Sequence, residues 1–140
     1  NELRENLPKL ARVRISSNLP VQMAAVEALR GPQDHIRTMV DQLRRRRDFI
    51  VKRLNAIEGI SCSTPRGAFY VFPKLELAPR WRDDKSFVLD FLSKTGVISV
   101  YGSGFGNAYG SNHFRLVYLP TEEVLERAMD KLEEFVASNN

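Results

Sequence analysis

Gly104-Phe105-Gly106 is followed, after a short loop, by Asn112-His113-Phe114-Arg115-Leu116-Val117. This spacing sets one arginine inside an apolar strand just downstream of a glycine-rich turn. A charge within a strand costs free energy unless it is paired. A guanidinium offers a planar fork that matches a carboxylate in two parallel hydrogen bonds. Arg115 is therefore the anion-binding candidate of this chain. A structural ion pair, or a place on the solvent face of the sheet, accounts equally well for one arginine in a strand.

No other residues assemble a reaction centre. His35 and His113 lie far apart and give no metal-ligand spacing. Cys62 is the single cysteine, with no neighbouring histidine in sequence, and no serine sits in a Gly-x-Ser-x-Gly elbow. Gly102-Ser103-Gly104-Phe105-Gly106 invites a nucleotide reading, but that fingerprint needs a helix after the loop, and here a strand follows. Left-handed backbone and close chain approach account for these glycines without a nucleotide. Asp83-Asp84 reads as a helix cap in a polar loop. No acid, base and nucleophile come together.

Composition sets the frame for these residues. The chain has 140 residues, 43% hydrophobic and 27% charged, with net charge +4. This fits one compact domain over residues 1–140 with its own core. No apolar run reaches the ~20 residues of a membrane span, so no membrane partner is expected. A lone cysteine suits a reducing, cytoplasmic setting. Asn1-Glu2-Leu3-Arg4 is not a signal peptide, and the chain is expected to begin inside a longer protein. The basic excess lies in residues 1–60, around Arg44-Arg45-Arg46-Arg47. Consecutive helical residues step by about 100°, so these four spread around the cylinder. No aromatic side chains are interleaved for base stacking, and no nucleic-acid partner is expected.

The elements that must position Arg115 are read from periodicity. Leu10–Leu19 is irregular. Val21–Leu29 is a short helix capped by Ser17 or Asn18, with Pro20 in its first turn and Gly31 after it. Pro32 opens a longer helix to about Asn55. Its seam is Ile36, Val40, Leu43, Ile50, Leu54 and Ile57, with Arg47 at the missing step. Gly59–Ser63 and Ala68–Phe72 are strands, and Pro73 ends the second or marks an edge. Pro79–Lys85 is an exposed loop holding Trp81. A helix with the face Phe87, Val88, Phe91, Leu92 follows, with Asp84 as cap and Gly96 as stop. Val97–Val100 is a strand, Tyr101–Asn112 a loop, and His113–Tyr118 the last strand. The last helix starts at Pro120 with Glu122 and Glu123 in its first turn, and turns Val124, Leu125, Ala128, Leu132, Phe135 and Val136 to the core. The order is helix, helix, strand, strand, helix, strand, strand, helix. It predicts an α+β fold, a small mixed or antiparallel sheet covered by helices.

Taken in series, several segments resemble the C-terminal small domain of the class I/II, fold-type I aminotransferases. These are Ser17-Asn18-x-Pro20-x-Gln22-x-Ala24-Ala25-x-x-Ala28-Leu29, Arg46-Arg47-Asp48, Pro65-Arg66-Gly67-Ala68-Phe69-Tyr70-Val71-Phe72-Pro73, Gly104-Phe105-Gly106 and the Arg115-Leu116 strand. The resemblance implies that Arg115 grips the α-carboxylate of an amino-acid substrate, with Phe69 or Tyr70 at the rim of the cleft, whereas Phe105 packs rather than binds. It implies that the chain is about the last third of such an enzyme. It also implies pyridoxal 5'-phosphate as the cofactor of the full-length protein, on a lysine upstream of these residues, and hence a 140-residue piece that binds no cofactor and is inactive alone. The implied reaction moves an amino group between an amino acid, aspartate favoured, and a 2-oxo acid, in a homodimer whose small domain closes over substrate. The same fold also serves lyases and synthases, and the ligand-sensing domains of some transcription regulators.

Overall fold

The computed structural model of the chain describes residues 2–13, 15–76 and 78–139. It divides into two compact units, Asn1–Arg37 and Thr38–Asn140.

The first unit carries α1 (Glu2–Val13) and α2 (Leu19–Arg30). Residues 10–13 were expected to be irregular and are helical instead. Leu3, Leu7 and Leu10 recur at helical spacing, and Pro8 lies within the helix. In α2 the Asn18 side chain accepts the Val21 N–H at 3.1 Å, and the Gly31 N–H closes the other end on the Glu27 carbonyl at 2.8 Å. None of the described α2 residues is buried.

The second unit holds the core. The long helix, α3 (Asp34–Ala56), buries Ile50, Val51 and Leu54, and Ile57 just beyond it is buried as well. The N-terminal half of the expected seam differs, because Ile36 and Val40 are exposed. Three of the four arginines reach different partners. Arg44 pairs with Asp41 at 3.1 Å, Arg46 donates to the Leu119 carbonyl, and Arg47 pairs with Asp48 at 2.7 Å.

Two small antiparallel sheets follow. β1 (Ile60–Ser61) pairs with β3 (Lys74–Leu75). β2 (Tyr70–Val71), β5 (Phe114–Val117) and β4 (Val100–Tyr101) form a three-stranded sheet in the order β2-β5-β4. The strands are shorter than their apolar runs. Asn55 Oδ1 takes the Cys62 N–H at 2.8 Å, which ends β1. Ala68 has φ 58°, a left-handed turn conformation that delays β2. The Val97 N–H is taken by the Thr95 hydroxyl at 3.1 Å, so that stretch pairs only from Val100. Pro73 separates β2 from β3, a strand the apolar pattern did not reveal.

Helices α4 (Asp84–Thr95) and α6 (Glu122–Ala137) complete the core. Asp83, not Asp84, caps α4. Its carboxylate accepts the Ser86 N–H at 2.8 Å while Ser86 Oγ accepts the Asp83 N–H at 3.1 Å. Gly96 ends the helix at φ 72°. Trp81, expected in an exposed loop, is 6% exposed. It packs edge-on against Phe87 at 5.0 Å, and Phe91 and Phe135 continue the aromatic cluster at 5.2 Å. Leu92 and Val124, expected in the core, are partly exposed. Among the described residues no helix is long and apolar enough to cross a membrane.

Asp90 anchors the indole. It accepts from Trp81 Nε1 at 3.0 Å and pairs with Arg80 at 2.9 Å and Lys94 at 3.2 Å. Desolvation alone would raise its carboxyl pKa. The hydrogen bonds from Trp81 and Lys94, with the charges of Lys94 and Arg80, outweigh it and hold the group below its ordinary value. A depressed carboxyl contributes stability that is present above the ordinary value of about 4 and lost as pH falls through the folded value. Asp90→Asn is expected to cost about 1 kcal/mol at pH 7 and to flatten the loss of stability on acidification. Denaturant unfolding of both proteins between neutral pH and the carboxylate range checks this, and equal slopes would count against it.

Candidate functional site

The register of β5 determines where its side chains point. Phe114 and Leu116 are buried, so the alternation of a strand sends Arg115 and Val117 to the other face. Arg115 stands opposite Val100 on β4, and Val117 stands opposite Tyr70 on β2. The guanidinium carbon lies 4.5 Å from the Tyr70 ring centroid and 4.5 Å from that of Phe105. Arg115 is half-buried. Among the described residues no carboxylate lies within ion-pair distance of it; the arginines that are paired are elsewhere. Of the two rival readings, the ion pair is absent among the described residues, and the solvent-face position is modified by the two rings. A guanidinium edge without a paired carboxylate can take a planar anion in two parallel hydrogen bonds.

Phe105 reaches this position because the glycine loop is folded rather than open. Residues expected to be a loop form a 3₁₀ turn, Gly102–Phe105, and the single-turn helix α5 (Asn107–Gly110). Gly102 and Gly110 lie back to back. A Cβ on Gly102 would stand 2.3 Å from the Gly110 carbonyl oxygen, and one on Gly110 2.0 Å from that of Gly102. Close chain approach is thus what these two glycines provide. The Gly102 N–H donates to the His113 carbonyl at 2.8 Å, tying the turn to the start of β5. Asp84, read from sequence as a cap, is 3% exposed, and its Oδ2 accepts the Ser103 N–H at 2.6 Å. Phe105 meets Phe72 edge-on at 6.0 Å, and Phe72 stacks on His113 at 5.1 Å.

Phe69 and Tyr70 are neighbours, with ring centroids 4.5 Å apart, but they serve different places. Tyr70 covers Arg115. Phe69 lines a cavity of about 420 Å³ with Arg44, Arg47, Arg66 and Tyr118. Tyr118 fixes that strand entry, since its hydroxyl donates to the Ala68 carbonyl at 2.9 Å and its N–H to the Phe69 carbonyl at 3.0 Å. Burial raises the Tyr118 pKa, so its hydroxyl stays a donor at neutral pH. Arg47, the odd residue of the α3 seam, points its Nη1 at the Pro65 carbonyl, 3.5 Å away. A larger groove, about 640 Å³ between β5 and α6, is apolar and holds none of the sequence-predicted site residues. Cys62 is buried and its thiol is pushed up by burial, which disfavours a nucleophilic thiolate. Among the described residues no cluster of histidine, cysteine and carboxylates would hold a metal.

The chain thus presents, on an α+β fold, an arginine in contact with two aromatic rings and with no carboxylate of the described residues on it. The sequence profile described as "Aminotransferase class I and II" matches residues 1–132, and the chain belongs to that family. An aspartate/prephenate aminotransferase of Cereibacter sphaeroides is 38% identical over 83% of this chain and 30% of its own length. A glutamate-pyruvate aminotransferase of Escherichia coli is 38% identical over 95% of this chain and 33% of its own. An alanine aminotransferase from Pyrococcus furiosus superposes with a TM-score of 0.85 at 51% identity, covering 98% of this chain and 34% of that one. The chain spans about a third of the length of these relatives.

Enzymes of this family generally use pyridoxal 5'-phosphate. Several lysine amines of the second unit have partners away from Arg115. Lys94 is on Asp90, Lys131 on the Thr95 carbonyl and Lys85 over the Tyr101 ring.

Gly102→Ala is expected to cost about 2 kcal/mol or more of stability, since backbone rather than a flexible side chain meets the new methyl group. Thermal unfolding measures it. A variant as stable as the parent would mean the turn can open without loss.

Proposed function

We propose that this chain is the substrate-recognition part of a pyridoxal-phosphate-dependent aminotransferase, spanning about a third of the parent protein. Arg115 binds the α-carboxylate of the amino acid, with Tyr70 against the guanidinium; Phe69, expected at the rim, lines the separate cavity with Arg44, Arg47 and Arg66. The observation that carries this reading is the Arg115 fork, held between two rings with no carboxylate of the described chain on it. Gripping the carboxylate orients the rest of the amino acid, so the bond to the α-hydrogen is presented in one direction. Closure of the domain over the bound substrate excludes water. The cofactor, held by another part of the parent, supplies the amino-group chemistry.

The substrate pair is an amino acid and a 2-oxo acid. Aspartate is the favoured donor, supported by the name of the Cereibacter relative. The Pyrococcus structure at 51% identity supports alanine as the second reading, and kcat/KM for the two amino acids in the full-length enzyme separates them. Family membership supports a homodimer, as do the exposed leucines of α1 and the unburied face of α2. A free, buried cysteine supports a cytoplasmic location.

In the full-length enzyme Arg115→Ala is expected to lower kcat/KM by about a hundredfold or more, because losing one partner of a buried ion pair costs about 2–5 kcal/mol, with little change in melting temperature. Unchanged kcat/KM would remove the assignment. The isolated 140-residue chain is expected to leave the absorbance of added pyridoxal phosphate unchanged and to show no transamination. An absorbance shift on mixing would mean that it holds the cofactor after all.

A further inference from the structure

We propose that Phe105 is a positioning residue for Arg115, set in place by the buried carboxylate of Asp84. This rests on the reading that Arg115 receives the substrate carboxylate.

The strand order β2-β5-β4 puts Arg115 on the middle strand. Tyr70 approaches its guanidinium from β2, and Phe105 approaches from the turn that leaves β4, each at 4.5 Å. Among the described residues the two rings make no contact with each other, and both bear on the same guanidinium. Aromatic faces attract a cation electrostatically and bear on its plane. With aromatic rings on the guanidinium and no carboxylate of the described residues paired with it, its N–H edge is left for a ligand, and two carboxylate oxygens match that edge. The long arginine side chain is thereby held in one orientation before substrate arrives, which lowers the ordering cost of binding.

Phe105 is suited to this role and poorly suited to a core role. It is 54% exposed, and its other aromatic contact is Phe72 at 6.0 Å. Its position is imposed through the backbone. Gly104 on one side packs under the Tyr101 ring, whose Cε2 would lie 2.9 Å from an added Cβ, and Gly106 on the other has φ 119°. Asp84 fixes the segment by accepting the Ser103 N–H at 2.6 Å, two residues before Phe105. It is the one buried charged side chain among the described residues. A buried charge is costly unless hydrogen-bonded, and this one is committed to the turn that carries Phe105.

The test is steady-state kinetics of the full-length enzyme with Phe105→Leu, Phe105→Tyr, Asp84→Asn and Arg115→Ala. Phe105→Leu is expected to raise KM for the amino acid about fivefold, with kcat changed less than twofold and the melting temperature unmoved. Phe105→Tyr should restore KM, because it restores the ring face. Asp84→Asn, which weakens the anchor to Ser103, should raise KM in the same direction and by less. A KM in Phe105→Leu equal to that of the parent, alongside a large loss in Arg115→Ala, would overturn the positioning role and leave Arg115 as the carboxylate site. A rise in Phe105→Leu that Phe105→Tyr fails to reverse would also overturn it. No loss in Arg115→Ala would overturn the underlying reading, and this proposal with it.

Discussion

Alternation along β5 is the constraint on which the rest of the site depends. Phe114 and Leu116 go into the core against α4 and α6, so Arg115 between them must emerge on the opposite face. A slip of one residue would bury the guanidinium and expose two large apolar side chains. The aromatic cluster around Phe87, Phe91 and Phe135 makes that slip costly, since Phe87 lies 5.4 Å from Phe114. The packing of the core thus decides the direction of a charged group on the other side of the sheet.

Charge is distributed with the same economy. Arg44, Arg47, Arg53, Arg80 and Arg82 all have carboxylate partners in this structure. Arg115 has rings instead. Cation–π contact holds an arginine without neutralising it, and leaves the N–H edge free for a ligand. An internal carboxylate would occupy that edge. The buried acid that is present, Asp84, is spent on a backbone N–H rather than on an arginine.

The glycine loop shows how a segment without a large apolar face is nonetheless fixed. Gly102 and Gly110 allow two backbones to meet, and hydrogen bonds from Gly102 to His113 and from Ser103 to Asp84 attach the turn to β5 and α4. Phe105 is then carried by the backbone to the guanidinium.

The sequence by itself determined the α+β class, the helices α2, α3, α4 and α6, the stop at Gly96 and the singular character of Arg115. Each of these rests on local chemistry: helical spacing, capping residues, a glycine able to adopt positive φ, a charge in an apolar strand. The register of Gly-Ala-Phe-Tyr and the arginine strand was enough to point to the family. Tertiary structure alone decided the burial of Trp81, the exposure of Ile36 and Val40, the short strand β3, and the separate destinations of Phe69 and Tyr70. It also turned Asp84 from an apparent cap into an anchor for a loop 19 residues away. These outcomes depend on which surfaces meet in space. The Asp84 carboxylate and the Ser103 N–H, or Phe105 and Arg115, carry no mark in sequence of the partner that folding assigns them.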